Sequence, residues 1–187
     1  MRIDKGSISS FPMKGTIDAS LPDAEKIIMD DVKEIAEHNT IVDLIRNDLS
    51  MVAKEVRLKR YRYVDKIYTN NKTLLQVSSE ITGKLDESWN EHIGDIFEKM
   101  LPAGSVSGAP KKMTLEIISE CEMGERGYYT GVFGIYEGES LDSAVAIRFI
   151  EKSGGKLFYR SGGGITVNSE MLKEYNELID KVYVPVN

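Results

Sequence analysis

The chain has 187 residues, with 24 basic and 30 acidic side chains, a net charge of −6 and 41% hydrophobic residues. This length and composition predict a globular protein of one domain or two small ones, and exclude disordered, collagen-like and coiled-coil chains. The acidic balance argues against general binding to nucleic acid, and no apolar run reaches the ~18 residues that a membrane helix needs. The first residues lack the apolar core of a signal peptide, so we expect a soluble cytoplasmic protein.

The first helical region is predicted to follow a short polar lead. Residues 1–19 form this lead, with a turn or strand end at 11–16, and a helix begins at Ser20-Leu21-Pro22-Asp23. An apolar stripe runs along that helix as far as His38, after which the apolar positions move to the opposite side. Glu37 therefore lies on a helix face that becomes apolar one turn later.

The rest of the chain alternates between strand and helix patterns. The predicted elements are strands at 56–63 and 73–85, a helix at 88–100, a loop at 102–110 followed by a helix, strands at 129–137, 141–151 and 156–161, a glycine loop at 161–165 and a helix at 169–183. Hairpin-length gaps separate several of the strands. This order predicts an α+β fold with a largely antiparallel sheet flanked by helices.

Two Glu-x-x-Glu pairs are candidates for chemistry, Glu34/Glu37 and Glu174/Glu177. A spacing of three puts both carboxylates of a pair on one side of a helix. Two such helices could hold Mg²⁺, which prefers oxygen ligands. Solvated helix faces explain the same pattern, except that Glu37 enters an apolar face and would need a cationic or metal partner.

Other candidate residues have structural explanations as well. The small-residue loops Gly104–Pro110 and Gly162–Gly164 allow backbone amides to approach an anion, or are plain turns. Arg148, in an apolar strand, either pairs with a carboxylate of its own protein or binds a substrate carboxylate. Lys14 is interpreted locally as a surface lysine. Cys121 lies between two acids, which disfavour a reactive thiolate.

Six strings of the sequence occur in an order and spacing that resemble the chorismate-utilising enzyme family. This family includes the large subunits of anthranilate synthase and aminodeoxychorismate synthase, and the isochorismate and salicylate synthases. The strings are Phe-Pro-Met-Lys-Gly-Thr (11–16), Ala-Glu-His-x-x-Ile-Val-Asp-Leu-Ile-Arg-Asn-Asp (36–48), Gly-Ser-Val-Ser-Gly-Ala-Pro-Lys (104–111), Ala-Ile-Arg (146–148), Gly-Gly-Gly-Ile (162–165) and Glu-Tyr-x-Glu-x-x-x-Lys (174–181).

The resemblance implies a reaction. In having a lysine, Lys14, in the Pro-x-Lys-Gly-Thr motif, the chain resembles the aminodeoxychorismate synthases, which are transferases. Anthranilate synthases usually have alanine at this position. The family mechanism implies that Lys14 attacks C2 of chorismate and expels the C4 hydroxyl, after which ammonia enters at C4. The product, 4-amino-4-deoxychorismate, leads to para-aminobenzoate and folate. A glutamine amidotransferase subunit is the implied source of ammonia.

The resemblance also implies roles for individual residues. Glu37 and Glu177 would bind Mg²⁺, and Glu34 and Glu174 would be acid/base groups or would support the metal ligands. The substrate-binding residues would be Tyr129, Arg148, Ser107, Gly108, Gly162, Gly163 and Gly164.

Two departures from the family leave alternatives open. Gln76 stands where a histidine is common, and glutamine cannot exchange a proton near neutral pH, which weighs against anthranilate synthase chemistry. The chain is also shorter than the family's domain, so we expect residues 1–187 to be the C-terminal part of the family's anthranilate synthase-like α/β sandwich. An uncovered sheet edge would then favour self-association. The alternatives are anthranilate synthase component I and a non-catalytic truncated fragment.

Overall fold

The computed structural model describes residues 1–69, 72–167, 169–180 and 182, without the side chains of Glu177 and Asp180. The chain divides into two compact units. Unit 1 comprises Met1–Cys121 and Gly134–Ser143, and unit 2 comprises Glu122–Phe133 and Ala144–Asn187. No helix in the described ranges is long and apolar enough to cross a membrane.

The strands of the described residues form an antiparallel sheet and a separate hairpin. The strands are β1 (Arg2–Asp4), β2 (Ser7–Ser10), β3 (Met13–Asp18), β4 (Lys54–Tyr68), β5 (Thr73–Lys84), β6 (Val132–Tyr136), β7 (Ser140–Val145), β8 (Phe149–Ser153) and β9 (Lys156–Arg160). The sheet has the order β3-β5-β2-β1-β7-β6, and β4 pairs with the other edge of β5. On the first edge, β3 pairs with the first half of β5 and β2 with the second half. The predicted α+β class with a largely antiparallel sheet is confirmed.

Three of these strands lie within the first 18 residues, where we predicted a polar lead with a turn or strand end at 11–16. The position of β3 agrees with that strand end, and the prediction is wrong for β1 and β2. The strands β1, β2 and β3 have three, four and six residues, too few to show a period-two pattern. They are stabilised by pairing with β5 and β7, which are distant in the sequence. Ile3 and Ile8 are fully buried as a result.

The helices of the described residues are α1 (Ala24–Asp30), α2 (Val32–Ser50), α3 (Ile93–Met100), α4 (Gly104–Ser107), α5 (Lys111–Cys121) and α6 (Met171–Asp180), with a 3₁₀ turn at Trp89–Glu91. The single helix predicted to begin at Ser20 and to continue past His38 consists of two helices, α1 and α2. Asp31 interrupts it with an extended backbone, and its side chain accepts a 2.9 Å hydrogen bond from the Glu34 N–H, which caps the start of α2.

The core of unit 1 lies where α2 packs against β3, β4 and β5. Its buried residues come from the sheet, α2, α3 and the segment after β5: Ile3, Ile8, Val42, Leu49, Ile81, Leu85, Trp89, Ile96 and Leu141. Because α2 extends over 19 residues, it connects the β3 end of this core with the region of α4.

Unit 2 contains the β8–β9 hairpin and α6. The strand predicted at 141–151 is divided into β7 and β8, because Arg148 has a φ of +53° and bends the chain. Arg148 therefore lies between strands and not inside one. The apolar residues of α6 are largely exposed, with Met171 at 81% and Leu172 at 70%.

Candidate active site

Lys14 and Glu37 form an ion pair between β3 and α2. Lys14 is opposite Val77 in the β3–β5 ladder, and its Nζ lies 3.0 Å from Glu37 Oε2. A second lysine, Lys33, is 3.8 Å from the other oxygen of the same carboxylate. The Lys14 and Glu37 side chains are 40% and 36% exposed, so solvent and small molecules can reach them. The structure thus brings together a predicted nucleophile and a predicted metal ligand.

Glu34 lies one helical turn before Glu37 and approaches the residue after Lys14. A Cβ at Gly15 would be 3.1 Å from Glu34 Oε2, and Gly15 has a φ of +75°, so glycine fits this position for two reasons. Burial, followed by the negative charge of Glu37, raises the pKa of the Glu34 carboxyl. Glu34 therefore holds a proton more readily than an ordinary glutamate.

His38 is a buried neighbour of this group that the sequence did not mark as functional. It is 1% exposed, and its Nε2 lies 2.7 Å from Ser79 Oγ, which also accepts a hydrogen bond from the Arg62 backbone N–H. Burial is the main cause that lowers the pKa of His38, and the charges of Arg62 and Lys14 add to it. The imidazole is therefore neutral at pH 7. The only sequence signal for it is its position directly after Glu37.

The loop that contains Ser107 and Gly108 binds an anion of the protein itself. The Gly104 N–H donates a 2.8 Å hydrogen bond to Asp48 Oδ2. The N–H groups of Ser107 and Gly108 donate within the loop, to Ala103 and Gly104 carbonyls, and the Ser107 hydroxyl donates to the Ala103 carbonyl at 3.2 Å. Substrate binding by Ser107 and Gly108 stays a prediction, and these donors are already occupied in the chain.

A second group of candidate residues lies in unit 2. A Cβ at Gly162 would collide with the Tyr129 hydroxyl, so glycine permits close contact there. Burial raises the pKa of Tyr129, against the lowering effects of Arg126 and Arg148, which keeps the phenol protonated as a hydrogen-bond donor. At Gly163 and Gly164 a Cβ would meet nothing within 4 Å.

The second glutamate pair is described only in part. Glu174 lies in the first turn of α6, and its Oε1 accepts a 2.6 Å hydrogen bond from Ser169 Oγ. The side chain of Glu177 lies outside the described residues, so its predicted role stays a prediction. Lys14, Glu34 and Glu37 belong to unit 1, whereas Glu174 belongs to unit 2.

The acidic residues of α2 fit a hard divalent cation. Glu34 and Glu37 offer carboxylate oxygens, the ligand type that Mg²⁺ prefers, and their mutual repulsion would be relieved by a cation. In the part of the chain that the structure describes, no group of three or more Asp, Glu, His or Cys side chains is suitably placed for a metal. Unit 1 thus offers two carboxylates of a type that suits Mg²⁺, and metal binding by Glu37 stays a prediction.

Comparison with known proteins identifies the class. Residues 1–187 match the family described as chorismate binding enzyme, and the chain belongs to this family. The fold is shared with the menaquinone-specific isochorismate synthase from Escherichia coli, at a TM-score of 0.78 and 19% identity over 96% of this chain and 41% of that one. The predicted family is thereby confirmed.

Two relatives give the relationship in more detail. An uncharacterized PabA-like protein of Pasteurella multocida is 59% identical over 186 residues, which are 100% of this chain and 57% of the relative. Anthranilate synthase component 1 of Thermococcus kodakarensis is 38% identical over 160 residues, or 84% of this chain and 36% of the relative. The chain therefore spans little more than half the length of the first relative.

Proposed function

We propose that this chain is the chorismate-binding part of an aminodeoxychorismate synthase component I, which converts chorismate and ammonia into 4-amino-4-deoxychorismate and water. The observation that supports this proposal is the position of Lys14, whose Nζ lies 3.0 Å from Glu37 Oε2 beside the acidic side of α2. A lysine in a Pro-x-Lys-Gly-Thr motif, next to carboxylates that can bind a cation and move protons, suits covalent catalysis on an anionic substrate.

In the first step, the neutral amine of Lys14 bonds to C2 of chorismate. Both conjugated ring double bonds shift, from C1=C2 to C1=C6 and from C5=C6 to C4=C5, the C4–oxygen bond breaks, and the hydroxyl leaves as water after accepting a proton. Glu34 is the proposed donor of that proton, because its raised pKa keeps a larger protonated fraction than an ordinary carboxyl has. The same carboxylate then accepts a proton from the lysine nitrogen.

In the second step, ammonia bonds to C4, both ring double bonds shift back, and the C2–nitrogen bond breaks. A proton from the new ammonium group is transferred to the lysine nitrogen, so that Lys14 is released as a neutral amine. A hydroxyl group has then been replaced by an amino group, and one water has been released for each ammonia consumed. A glutamine amidotransferase subunit is the proposed source of the ammonia.

The substrate's charges need partners in the site. Glu37, with Glu177, would hold Mg²⁺, and the bound ion supplies positive charge that offsets the ring carboxylate. Arg148, Tyr129 and the amides of Gly162–Gly164 would bind the enolpyruvyl carboxylate, for which the protonated Tyr129 phenol is a suitable donor. Glu174 would be a further acid/base group.

The proposal is tested by incubating the chain with chorismate, Mg²⁺ and ammonia and separating the products by chromatography. We expect a small amount of 4-amino-4-deoxychorismate from the wild-type chain, which covers 57% of its first relative, and none from Lys14→Met. The matched control is Lys33→Met, which removes the same charge near Glu37 from a lysine that is 81% exposed. Equal product from wild type and Lys14→Met would contradict the covalent role.

Anthranilate synthesis is the second candidate, because anthranilate synthases are among the relatives. The same incubation distinguishes the two reactions. Anthranilate is fluorescent and forms with loss of pyruvate, so its appearance without an added lyase would replace the first proposal with the second.

A further inference from the structure

Asp48 is a buried carboxylate near the end of α2 that contacts one short segment at two points. It is 5% exposed. Its Oδ2 accepts the Gly104 N–H at 2.8 Å, and its Oδ1 lies 2.9 Å from Lys111 Nζ. Lys111 Nζ also donates to the Met100 carbonyl at 3.2 Å. Lys111 therefore joins the two ends of residues 100–111 through its hydrogen bond to Met100, and its ion pair connects them to Asp48.

The position of Asp48 explains why residue 104 is glycine. A Cβ at Gly104 would lie 2.8 Å from Asp48 Oδ2 and 3.3 Å from Leu44 Cβ. No larger residue allows the backbone to reach the carboxylate without displacing it. The Asp48–Gly104 contact therefore constrains both the helix and the loop.

Apolar packing does little to hold the segment between these contacts. Of its residues 104–108, only Gly104 and Ser107 are buried, and neither has a large apolar side chain. The helix α4 has only four residues, too few to be stable on its own. Polar contacts therefore contribute much of its order, and those that connect it to α2 are the contacts of Asp48 with Gly104 and Lys111.

We propose that Asp48 is a positioning residue, which acts with Lys111 to fix residues 104–108 against α2 for the binding of chorismate. This inference rests on the proposed function. Asp48 and Glu37 are 11 residues apart on α2, or roughly 16 Å at 1.5 Å per residue. One helix thus carries the carboxylates near Lys14 at one point and fixes the loop at another.

The test combines hydrogen exchange with chorismate binding in the full chain. In Asp48→Asn, the amide remains able to accept from Gly104 but no longer balances the charge of Lys111. We expect exchange of the amides at 104–108 to become about 100-fold faster, because the half-buried ammonium of Lys111 has lost its charged partner. Exchange of the β5 amides, which belong to the main sheet, should change by less than about threefold.

Chorismate affinity, measured by calorimetry with Mg²⁺ present, supplies the functional readout. We expect Asp48→Asn and Lys111→Met to weaken binding at least about tenfold, since only molecules with an ordered loop are competent. Lys111→Arg retains the cation and should restore most of the affinity. The control is Asp43→Asn on the same helix, whose side chain is 83% exposed and should leave both readouts unchanged.

Three results would overturn the proposal. The first is unchanged exchange at 104–108 in Asp48→Asn, and the second is an equal rise in exchange throughout β5, which would mean that Asp48 only stabilises the fold. The third is faster loop exchange with wild-type chorismate affinity, which would refute the positioning role and leave the proposed function intact. If the wild type itself does not bind chorismate, the proposed function fails, and this role fails with it.

Discussion

Acid is expected to destabilise the folded chain through His38. The ring is 1% exposed, its Nε2 contacts Ser79 Oγ at 2.7 Å, and its buried Nδ1 has no hydrogen-bond partner among the described residues. Burial, Arg62 on β4 and Lys14 on β3 all lower the pKa of His38 in the folded chain. A proton therefore binds more readily to the unfolded chain than to the folded one.

The size of this effect follows from the unfolded pKa of histidine, about 6.5. Because the pKa of His38 is lowered in the folded chain, the stability that depends on a neutral His38 is fully present above about pH 6.5. It is lost progressively as the pH falls below that value. If His38 stays neutral while folded, the free energy of unfolding decreases by about 1.4 kcal/mol between pH 7.5 and pH 5.5. The raised pKa of Glu34 acts in the opposite direction, so the effect of His38 must be isolated by mutation.

The assay is urea unfolding at pH 7.5 and pH 5.5, followed by the fluorescence of Trp89, the only tryptophan. In His38→Gln, the loss of stability between the two pH values should be smaller than in the wild type by about 1.4 kcal/mol. The control, His92→Gln, replaces a histidine whose side chain is 56% exposed, and should retain the wild-type difference. An equal pH-dependent loss in wild type and His38→Gln would refute the reasoning.

The remaining predictions concern a helix cap, a glycine and the metal. Asp31→Ala should lower the free energy of unfolding by about 1 kcal/mol, because the cap of α2 is lost; no change in urea unfolding would contradict it. Gly104→Ala should cost about 2 kcal/mol, because its Cβ would lie 2.8 Å from Asp48 Oδ2, and wild-type stability would count against that packing. Glu37→Gln should weaken Mg²⁺ binding in calorimetry by about tenfold or more, whereas the exposed Glu25→Gln should not; equal affinities would remove Glu37 from the ligands.

The long elements of the fold could be predicted from the sequence. The alternation in β4 and β5 gave two strands, and apolar spacing gave α3 and α6, because these segments are long enough for a period to be visible. The strands β1 and β2 could not be recognised, since three or four residues show no pattern and their order comes from distant partners.

The break at Asp31 shows a limit of helical periodicity. The change of apolar side near His38 indicated a long helix with two faces, whereas the structure has a short helix, an extended residue and a second helix. The cap from Asp31 to the Glu34 N–H is a local signal that was present in the sequence. This side-chain cap competes with a continuous helix through Asp31 and favours the start of a new helix at Val32.

The two glutamate pairs of the candidate site were marked by their spacing, whereas the role of Lys14 came only from the family resemblance. Lys14 and Glu37 are 23 residues apart, and no local pattern brings a strand lysine to a helix carboxylate. Asp48 and Lys111 were overlooked as a pair because each looks like an ordinary charged residue within its own motif. The partners of the buried Asp48 carboxylate, Gly104 and Lys111, are more than 50 residues away in the sequence and meet it only in the folded chain.

The most direct measurement is the intact mass of the protein after incubation with chorismate and Mg²⁺ in the absence of ammonia. The proposed mechanism predicts an added mass equal to chorismate less one water, located at Lys14 by peptide mapping, absent in Lys14→Met and released when ammonia is added. Formation of 4-amino-4-deoxychorismate without any adduct on Lys14, or an adduct on a different lysine, would contradict it.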